Sequence, residues 1–389
     1  MKDFIEGSRA VAEAVALCKP GVISAYPITP QTHIVEELAS IVADGKLNAQ
    51  FVNVESEHSA ASTVLGSVAA GVRSFTASSS QGLLLMAEVI FNIAGMRMPL
   101  VLTCANRAIS APINIWNDQQ DVMAIRDSGW ILMFAEDVQE AVDLHLMAYR
   151  ISEDHDIMLP VMVNMDGYIL THGLEVVDMP EQSQVDKFLP PYKPLYKLDT
   201  KNPLTLGFLA EPAYYMEARV SIQRSQDKAL KLIPQVATEF KKIFGRDAGG
   251  LIQGYKLEDA EQVIVAMGSV IGTIKEAVDE LRKEGKKAGV LKVTTLRPFP
   301  AEEIRQALKK AKEVAVIDKS ISLGGYGPLY TDIAAAFQGD SCGVKLSGFV
   351  AGLGGRDITT GTVRKIVEKL SGPQKPCEFI EVKEDLLKE

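Results

Sequence analysis

The residues of this sequence that are best suited to catalysis lie in three loops, each of which follows a predicted strand. Thr29 lies in the first loop, Glu55 and Glu57 lie in the second, and Arg107 lies in the third. A carboxylate in an apolar cleft can share a proton with a ring nitrogen, a threonine hydroxyl can donate to a carbonyl, and an arginine can bind a carboxylate. Ligands of open α/β sheets bind beyond the carboxyl ends of the strands. The three loops are therefore the first candidates for a ligand site.

Each of these residues also has a purely structural interpretation. Thr29 suits the N-cap of a helix and Pro30 suits the first helical position. Both glutamates lie where a helix of small residues begins, and the helix macrodipole stabilises a carboxylate there. Arg107 can form an ion pair with Asp118 or Asp121 of its own loop. From the residues alone, both interpretations stay open at all three loops.

The elements that must position these loops follow an alternating pattern over the first 170 residues. Short apolar runs alternate with longer segments of helical periodicity, such as residues 31–43 and 138–151, which is typical of a parallel sheet with helices on both faces. The predicted strands are 21–26, 50–54, 73–77, 99–104, 130–134 and 160–164. The apolar segment 83–91 predicts a fully buried helix in the core or at a subunit interface. The sequence therefore predicts a doubly wound α/β domain.

The pattern changes after His172, where prolines interrupt an extended segment before a long helical stretch between Tyr215 and Phe244. A second α/β alternation follows and predicts a smaller, four-stranded domain. We expect a first domain at 1–235 that includes an excursion at about 172–235, a linker at 236–257, and a second domain at 258–389.

The composition limits the classes of protein. The 389 residues include 41 Lys+Arg and 50 Asp+Glu, a net charge of −9, which makes a nucleic-acid binder an unfavourable interpretation. The longest apolar stretch is interrupted by Glu88 and Asn92 and is shorter than the roughly 18 residues of a membrane span. The first residues carry acids where a signal peptide carries basic residues. We therefore expect a cytoplasmic protein with neither nucleic acid nor membrane as a partner.

The spacing of metal ligands and glycines predicts neither a metal site nor a nucleotide fingerprint on this chain. No pair of cysteines has the C-x-x-C spacing, and no pair of histidines has the H-x-x-x-H spacing. The four cysteines are Cys18, Cys104, Cys342 and Cys377. The glycines at 324, 325, 327, 352, 354 and 355 match neither G-x-G-x-x-G nor the P-loop. These glycines are expected in turns, with a partner or ligand contact as the alternative.

Four motifs in sequence order carry a resemblance to a known family. They are YPITP from Tyr26, SEHSAAS from Ser56, TASSSQGLLLMAE from Thr76 and NRAISAPINIWNDQQD from Asn106. Together they resemble the alpha subunit of the pyruvate:ferredoxin oxidoreductase family of 2-oxoacid oxidoreductases, over nearly the whole chain. The resemblance implies a pyrimidine-binding domain for thiamine diphosphate, followed by a transketolase C-terminal-like domain whose LRPFP segment begins at Leu296.

The resemblance also implies roles for individual residues. Glu57 is similar to the family glutamate that contacts N1′ of the cofactor aminopyrimidine, with Glu55 as the second choice. Thr29 resembles the threonine that donates a hydrogen bond near the 2-oxo group, and Arg107 resembles the arginine that pairs with the substrate carboxylate. The residues expected to supply backbone and shape beside the cofactor are Tyr26, Pro27 and Ile28.

The departures from a complete thiamine enzyme imply partner chains. The chain has no G-D-G segment to anchor the diphosphate through a divalent ion. The resemblance implies a beta subunit that brings the diphosphate, Mg²⁺ and a [4Fe-4S] cluster, together with gamma and ferredoxin-like delta subunits. It also implies the oxidation of pyruvate with coenzyme A and ferredoxin. The alternatives are another 2-oxoacid such as 2-oxoisovalerate, a non-catalytic scaffold subunit, and a stand-alone thiamine enzyme, against which the missing diphosphate segment argues.

Overall fold

A computed structural model of the chain describes residues 2–339 and 343–387. The strands are β1 (Lys2–Glu6), β2 (Val22–Ser24), β3 (Gln50–Val52), β4 (Ser74–Ser78), β5 (Val101–Asn106), β6 (Ile131–Phe134), β7 (Val161–Asp166), β8 (Leu174–Asp178), β9 (Ile252–Tyr255), β10 (Gln262–Ala266), β11 (Ala288–Val293), β12 (Thr295–Arg297), β13 (Glu313–Asp318), β14 (Lys345–Val350) and β15 (Glu378–Phe379). The α-helices are α1 (Gly7–Leu17), α2 (Thr32–Ala43), α3 (Glu57–Ala69), α4 (Ser80–Leu85), α5 (Ala87–Gly95), α6 (Gln120–Ala124), α7 (Val138–Ser152), α8 (Gln182–Phe188), α9 (Pro212–Phe244), α10 (Val270–Lys283), α11 (Ala301–Leu308), α12 (Pro328–Ala336) and α13 (Thr360–Lys369). Two 3₁₀ helices span Leu353–Gly355 and Glu384–Leu387.

The first sheet has seven strands in the order β12-β6-β7-β5-β4-β2-β3. All of its pairings are parallel except that of β12 with β6. Successive residues of a strand point to opposite faces of a sheet. Val101 accordingly packs in the apolar cluster with α1 and α7, whereas Leu102 packs in the cluster with α3 and α5. Helices therefore cover both faces, and the predicted doubly wound α/β fold is confirmed.

Each of the six predicted strands overlaps a strand of this sheet, and the two predicted helices correspond to α2 and α7. The segment 83–91, predicted as one buried helix, is not a single helix. It consists of two helices, α4 and α5, which meet at Met86. Within this chain 52% of Leu85 and 43% of Phe91 is exposed, so the segment does not lie wholly in the core, and the subunit-interface alternative stays a prediction. The continuous apolar run therefore did not reveal the helix break at Met86 or the exposure of Leu85 and Phe91.

The second sheet has six strands in the order β15-β14-β13-β10-β11-β9, so the predicted four-stranded sheet is wrong. The two strands that the sequence pattern missed, β9 and β15, lie at the two edges. They span four and two residues and are only partly buried, so they lack a long apolar run. The apolar segment around residue 293, which the sequence pattern presents as one strand, forms two strands. The first is β11 of this sheet, and the second is β12, which pairs with β6 of the first sheet.

Helix α9 connects the two sheets and runs without interruption across residues 235 and 236. It packs on the first domain through Phe240 and Phe244, whose rings both contact the ring of Phe188 on α8. It ends at Gly245, whose φ of 75° suits glycine at a helix C-terminus. The predicted linker at 236–257 therefore includes the end of α9 and all of β9, while the domain boundaries themselves stay predictions.

Candidate active site

The carboxyl ends of β2, β4 and β5 lie side by side in the first sheet, so the loops that follow them meet. Arg107, which follows β5, donates from Nη1 to the Thr29 carbonyl oxygen after β2, at 2.8 Å. Its Nη2 donates to Gln81 Oε1 after β4, at 3.5 Å. The structure thus brings Thr29 and Arg107 together, and it leaves the Thr29 side chain exposed.

Glu57 is the first residue of α3, and 7% of its surface is exposed. The helix begins there because the Ser56 hydroxyl oxygen accepts a hydrogen bond from the Ser59 backbone N–H, at 3.2 Å. The Glu57 carboxylate lies against Gly82 of α4, where an added Cβ atom would be 2.5 Å from Glu57 Oε1. Glu55, in contrast, is exposed and accepts a hydrogen bond from the Ser59 hydroxyl. The fold therefore separates the two glutamates and buries Glu57 beside the loop after β4.

Two polar groups at the end of β4 and the start of α4 have no hydrogen-bond partner among the described residues. Ser78 Oγ and Gln81 Nε2 are buried and form no hydrogen bond there. The Ser78 oxygen lies 2.7 Å from the position of a Cβ atom on Gly82, so it borders the same space as the Glu57 carboxylate. Burial of an unsatisfied polar group is unfavourable, and such groups are often satisfied by a ligand or water.

The loop after β2 is shaped by Gln31, which sequence reasoning missed. The buried Gln31 side chain accepts from the Ile28 backbone N–H at 3.2 Å and donates to the Ala77 carbonyl at 2.9 Å. The helix begins at Thr32 with Gln31 in the N-cap position, so the prediction of Thr29 as N-cap is wrong. The reason is that the Gln31 backbone N–H closes a turn onto the Ile28 carbonyl, at 2.8 Å, before the helix starts.

The other three residues with a predicted cofactor role form the outer part of the loop after β2. Tyr26 and Pro27 are exposed, and Ile28 is half-buried. The peptide bond between Thr29 and Pro30 is cis.

The ion pair that the sequence left open for Arg107 is not formed within the described residues. Arg107 is buried, and its Nε donates to the Asn114 carbonyl at 3.0 Å. Its backbone N–H, and not its guanidinium, donates to Asp121. Asp118 instead accepts from the backbone N–H groups of Gln120 and of the second domain. Burial lowers the pKa of Arg107 from its ordinary value, but an arginine stays charged.

Asp121 is a second residue whose importance the sequence did not reveal. Its Oδ2 accepts hydrogen bonds from the backbone N–H groups of Ser80 and Arg107, each at 3.0 Å. Its Oδ1 accepts from the Asn106 side chain at 3.0 Å. Burial raises the pKa of this carboxyl to about 6, although the hydrogen bonds oppose that shift. Asp121 therefore fixes the ends of β4 and β5 relative to each other.

Replacing Asp121 by alanine is expected to reduce the free energy of unfolding by about 3 kcal/mol, because several buried donors lose their acceptor. Urea unfolding followed by circular dichroism measures this loss. Asp127→Ala is the matched control, since 72% of the Asp127 side chain is exposed, and it should leave the unfolding midpoint nearly unchanged. Equal midpoints for the two variants would contradict the role of Asp121.

The second domain contacts the loop that carries Arg107. Asn114 donates from Nδ2 to the Gly354 carbonyl at 3.0 Å, and the Gly354 N–H donates to Asp118 Oδ2 at 3.1 Å. A Cβ atom on Gly355 would lie 2.5 Å from Cβ of Trp116, so only glycine permits this approach. Both glycines have positive φ angles. These glycines therefore form a turn, as expected, and also contact a loop of the same chain.

Two family models match the chain. The description of the first is pyruvate flavodoxin/ferredoxin oxidoreductase, thiamine diphosphate-binding, and it matches residues 13–238, more than half of the chain. The chain belongs to the pyruvate flavodoxin/ferredoxin oxidoreductase family. The second model, pyruvate:ferredoxin oxidoreductase core domain II, matches residues 260–363. The resemblance to the pyruvate:ferredoxin oxidoreductases is therefore confirmed, and the first domain is a thiamine diphosphate-binding domain.

Relatives within the oxidoreductase family cover nearly the whole chain. Pyruvate synthase subunit PorA of Methanothermobacter thermautotrophicus is 50% identical over 381 residues, which is 98% of this chain and 98% of the relative. Ketoisovalerate oxidoreductase subunit VorA of Pyrococcus horikoshii is 43% identical over 371 residues, 95% of this chain and 94% of the relative.

Two solved structures share the fold. One is a 2-oxoglutarate:ferredoxin oxidoreductase from Magnetococcus marinus, with a TM-score of 0.75 and 21% identity; the match covers 95% of this chain and 65% of that chain. The other is a split-gene transketolase, with a TM-score of 0.54 and 14% identity, over 95% of this chain and 98% of that chain. Both support the predicted fold class. None of the helices within residues 2–339 and 343–387 is long and apolar enough to span a membrane.

Proposed function

We propose that this chain is the alpha subunit of a pyruvate:ferredoxin oxidoreductase of the EC 1.2.7 class. This enzyme converts pyruvate, coenzyme A and oxidised ferredoxin into acetyl-CoA, CO₂ and reduced ferredoxin. The observation that carries the proposal is the meeting of Glu57, Thr29 and Arg107 at one edge of a thiamine diphosphate-binding domain. The 50% identity to a relative named pyruvate synthase subunit supports pyruvate as the substrate.

The groups around Glu57 fit the aminopyrimidine of thiamine diphosphate. The Glu57 carboxylate and the unpaired Ser78 hydroxyl, which border the same space, offer an acceptor and a donor to a ring that carries both. Glycine at position 82 keeps the space beside the carboxylate open. When bound, thiamine diphosphate supplies a carbon nucleophile for the keto group and accepts the charge left after CO₂ departs. Glu57 would share a proton with N1′ of the bound cofactor and would so tune the proton affinity of the ring.

Replacing Gly82 by alanine is expected to lower turnover by about 10- to 100-fold, because the new Cβ atom displaces the Glu57 carboxylate from its position. The readout is dye-linked turnover of the assembled complex. Gly272→Ala is the matched control: this glycine lies inside α10 and has no atom within 4 Å of the added Cβ position. Normal turnover of the Gly82 variant would contradict the close fit around Glu57.

Arg107 and Thr29 are proposed to bind the substrate. Arg107 has five N–H donors, of which three form the hydrogen bonds described above, so further N–H groups can reach a carboxylate. The exposed Thr29 hydroxyl is free to orient the 2-oxo group. Because the Arg107 guanidinium also holds the Thr29 carbonyl at 2.8 Å, one residue binds the substrate and positions the other.

The site needs a partner chain. This chain lacks a diphosphate-anchoring segment, so the proposed beta subunit supplies the diphosphate site, Mg²⁺ and a [4Fe-4S] cluster. Gamma and delta subunits and ferredoxin complete the proposed assembly. The word "subunit" in the names of the relatives supports this assembly. The alternative with a specific observation is 2-oxoisovalerate, since the 43% identical relative is a ketoisovalerate oxidoreductase subunit.

The experiment that tests this function is purification of the complex through a tag on this chain. We expect bound thiamine diphosphate, an iron–sulfur absorption band, and reduction of a viologen dye that requires both a 2-oxoacid and coenzyme A. Pyruvate should give a higher kcat/KM than 2-oxoisovalerate or 2-oxoglutarate. If 2-oxoisovalerate gave the highest kcat/KM, the proposed substrate would be 2-oxoisovalerate and not pyruvate. A complex without thiamine diphosphate and without 2-oxoacid-dependent reduction would favour the scaffold interpretation.

A further inference from the structure

Three potential metal ligands meet near the amino terminus. Glu6 ends β1, His33 is the second residue of α2, and His172 lies in the turn between β7 and β8. One ligand atom from each residue can be chosen so that all three lie within 4.8 Å of one another. Among the described residues this is the one such group of three histidine, cysteine or acidic side chains. A set of two histidines and one carboxylate is typical of zinc sites that keep an open position.

The backbone framework that brings the three residues together is rigid. β1 pairs with β8 in antiparallel register, with Glu6 opposite Leu174. The Gly7 N–H donates to the Gly173 carbonyl at 3.0 Å, which ties the end of β1 to the residue after His172. The cluster therefore rests on paired backbone and not on a free loop.

The ring of His172 is oriented by its neighbours. Its Nδ1 lies 2.7 Å from Thr171 Oγ1, and that hydroxyl also accepts the Tyr168 backbone N–H at 2.8 Å. His172 Nε2 has no hydrogen bond to a described residue, so it is available as a ligand. The ring of His172 lies between those of Tyr168 and His33, at centroid distances of 4.7 and 4.6 Å. A histidine that binds a metal through one ring nitrogen commonly forms a hydrogen bond through the other, as Nδ1 of His172 does with Thr171.

The charges of the cluster suit a cation. His33 Nδ1 lies 2.7 Å from Glu6 Oε1, and both side chains are partly exposed, so an ion and a water molecule have access. A divalent cation can bind the carboxylate and both imidazoles at once.

We propose that Glu6, His33 and His172 bind one divalent transition-metal ion, with Zn²⁺ as the best fit, and that water occupies the remaining position. In a tetrahedral zinc site with bonds of about 2.0–2.1 Å, the ligand atoms lie roughly 3.4 Å apart. Side-chain movements of about 1 Å therefore bring the three ligand atoms, which lie within 4.8 Å of one another, to that spacing. The ion joins β1, α2 and the turn after β7.

The proposed metal site adjoins the loop that carries Thr29. α2 begins three residues after Thr29, and a Cβ atom on Gly167 would lie 2.6 Å from Cγ of Pro30. The turn that holds His172 is thus packed against the Thr29–Pro30 segment. Metal binding is expected to stabilise this loop, whichever substrate the enzyme uses.

The test uses the full chain, purified with a tag that contains no histidine and freed of metal with a chelator. Isothermal titration with Zn²⁺ should show one site per chain, and saturation should raise the melting temperature by at least about 2–4 °C. Co²⁺ should give a visible absorption band that Zn²⁺ removes. Lowering the pH from 7.5 to 5.5 should weaken binding, because protonated imidazole is not a ligand.

His33→Ala and His172→Ala should each weaken Zn²⁺ binding at least about 10-fold. His155→Ala is the control, since His155 is exposed and its Nε2 lies 2.9 Å from the Lys193 carbonyl oxygen, away from the three proposed ligands. Circular dichroism establishes that each variant is folded. Two outcomes would overturn the proposal: no Zn²⁺ binding by the folded wild-type chain, which would leave an ordinary Glu6–His33 ion pair, or binding that the His33 and His172 variants retain.

Discussion

The Glu57→Gln variant is expected to turn over pyruvate at least about 100-fold more slowly than the wild type in the assembled complex. Glutamine keeps the size of the side chain but removes the charge that shares a proton with the pyrimidine ring, and assistance of this kind contributes about 10²- to 10⁴-fold. Glu57 is the buried one of the two candidate glutamates, and its carboxylate borders the space that Gly82 leaves open. The measurement is the initial rate of viologen reduction at saturating pyruvate and coenzyme A.

Glu55→Gln is the matched control for this prediction. Glu55 lies two residues earlier, is exposed, and accepts a hydrogen bond from Ser59, so its loss should change turnover little. The thiamine diphosphate content of both variants should be measured as well, because it separates a slow enzyme from an empty one. Near-normal turnover of Glu57→Gln with bound cofactor would remove Glu57 from its role, and a large loss in Glu55→Gln would transfer that role.

The Arg107→Ala variant should lose about 10- to 150-fold in kcat/KM for pyruvate. A charged hydrogen bond contributes about 1.5–3 kcal/mol, and each 1.4 kcal/mol corresponds to a factor of ten. Most of the loss should appear in KM, because Arg107 is proposed to bind the carboxylate in the ground state as well as in the transition state. Part of the loss should appear in kcat, because Nη1 of Arg107 also holds the Thr29 carbonyl.

Two comparisons sharpen this test. Thr29→Val removes one neutral hydrogen bond, worth about 1 kcal/mol, and should therefore cost less than Arg107→Ala. Arg9→Ala is a control for the loss of a positive charge, since 57% of that side chain is exposed and its partner Glu13 is on the same helix. An unchanged KM for pyruvate in Arg107→Ala would contradict the substrate clamp.

The parts of the fold that the sequence predicts are those with long apolar runs. β5 and β7 are buried on both faces, and their continuous hydrophobic patterns located them correctly. β9 and β15 were missed because each is short and lies at a sheet edge, where partial burial removes the apolar signal. The membership of β12 in the first sheet depends on pairing with β6 across more than 150 residues, which local patterns do not encode.

The site was predicted to a similar extent. The types of the residues and the positions of the loops were legible, because parallel strands place their following loops at one edge. The supporting contacts were not, because they join distant segments: Gln31 reaches the Ala77 carbonyl, and Asp121 reaches the Ser80 backbone. A glutamine directly after YPITP and an acid in the polar loop after Arg107 were the available signals, but neither specifies a partner. His33 and His172 likewise become neighbours only in the folded chain.

The contacts of Gly354 with Asn114 and Asp118 bear on how such enzymes can be recombined. A chimera that takes its carboxyl-terminal half from another homologue would place a foreign glycine turn against the native arginine segment. Hybrids should therefore retain activity only when residues 107–121 and 352–355 come from the same homologue. A chimera junction between these two segments would separate residues that contact each other in the folded chain.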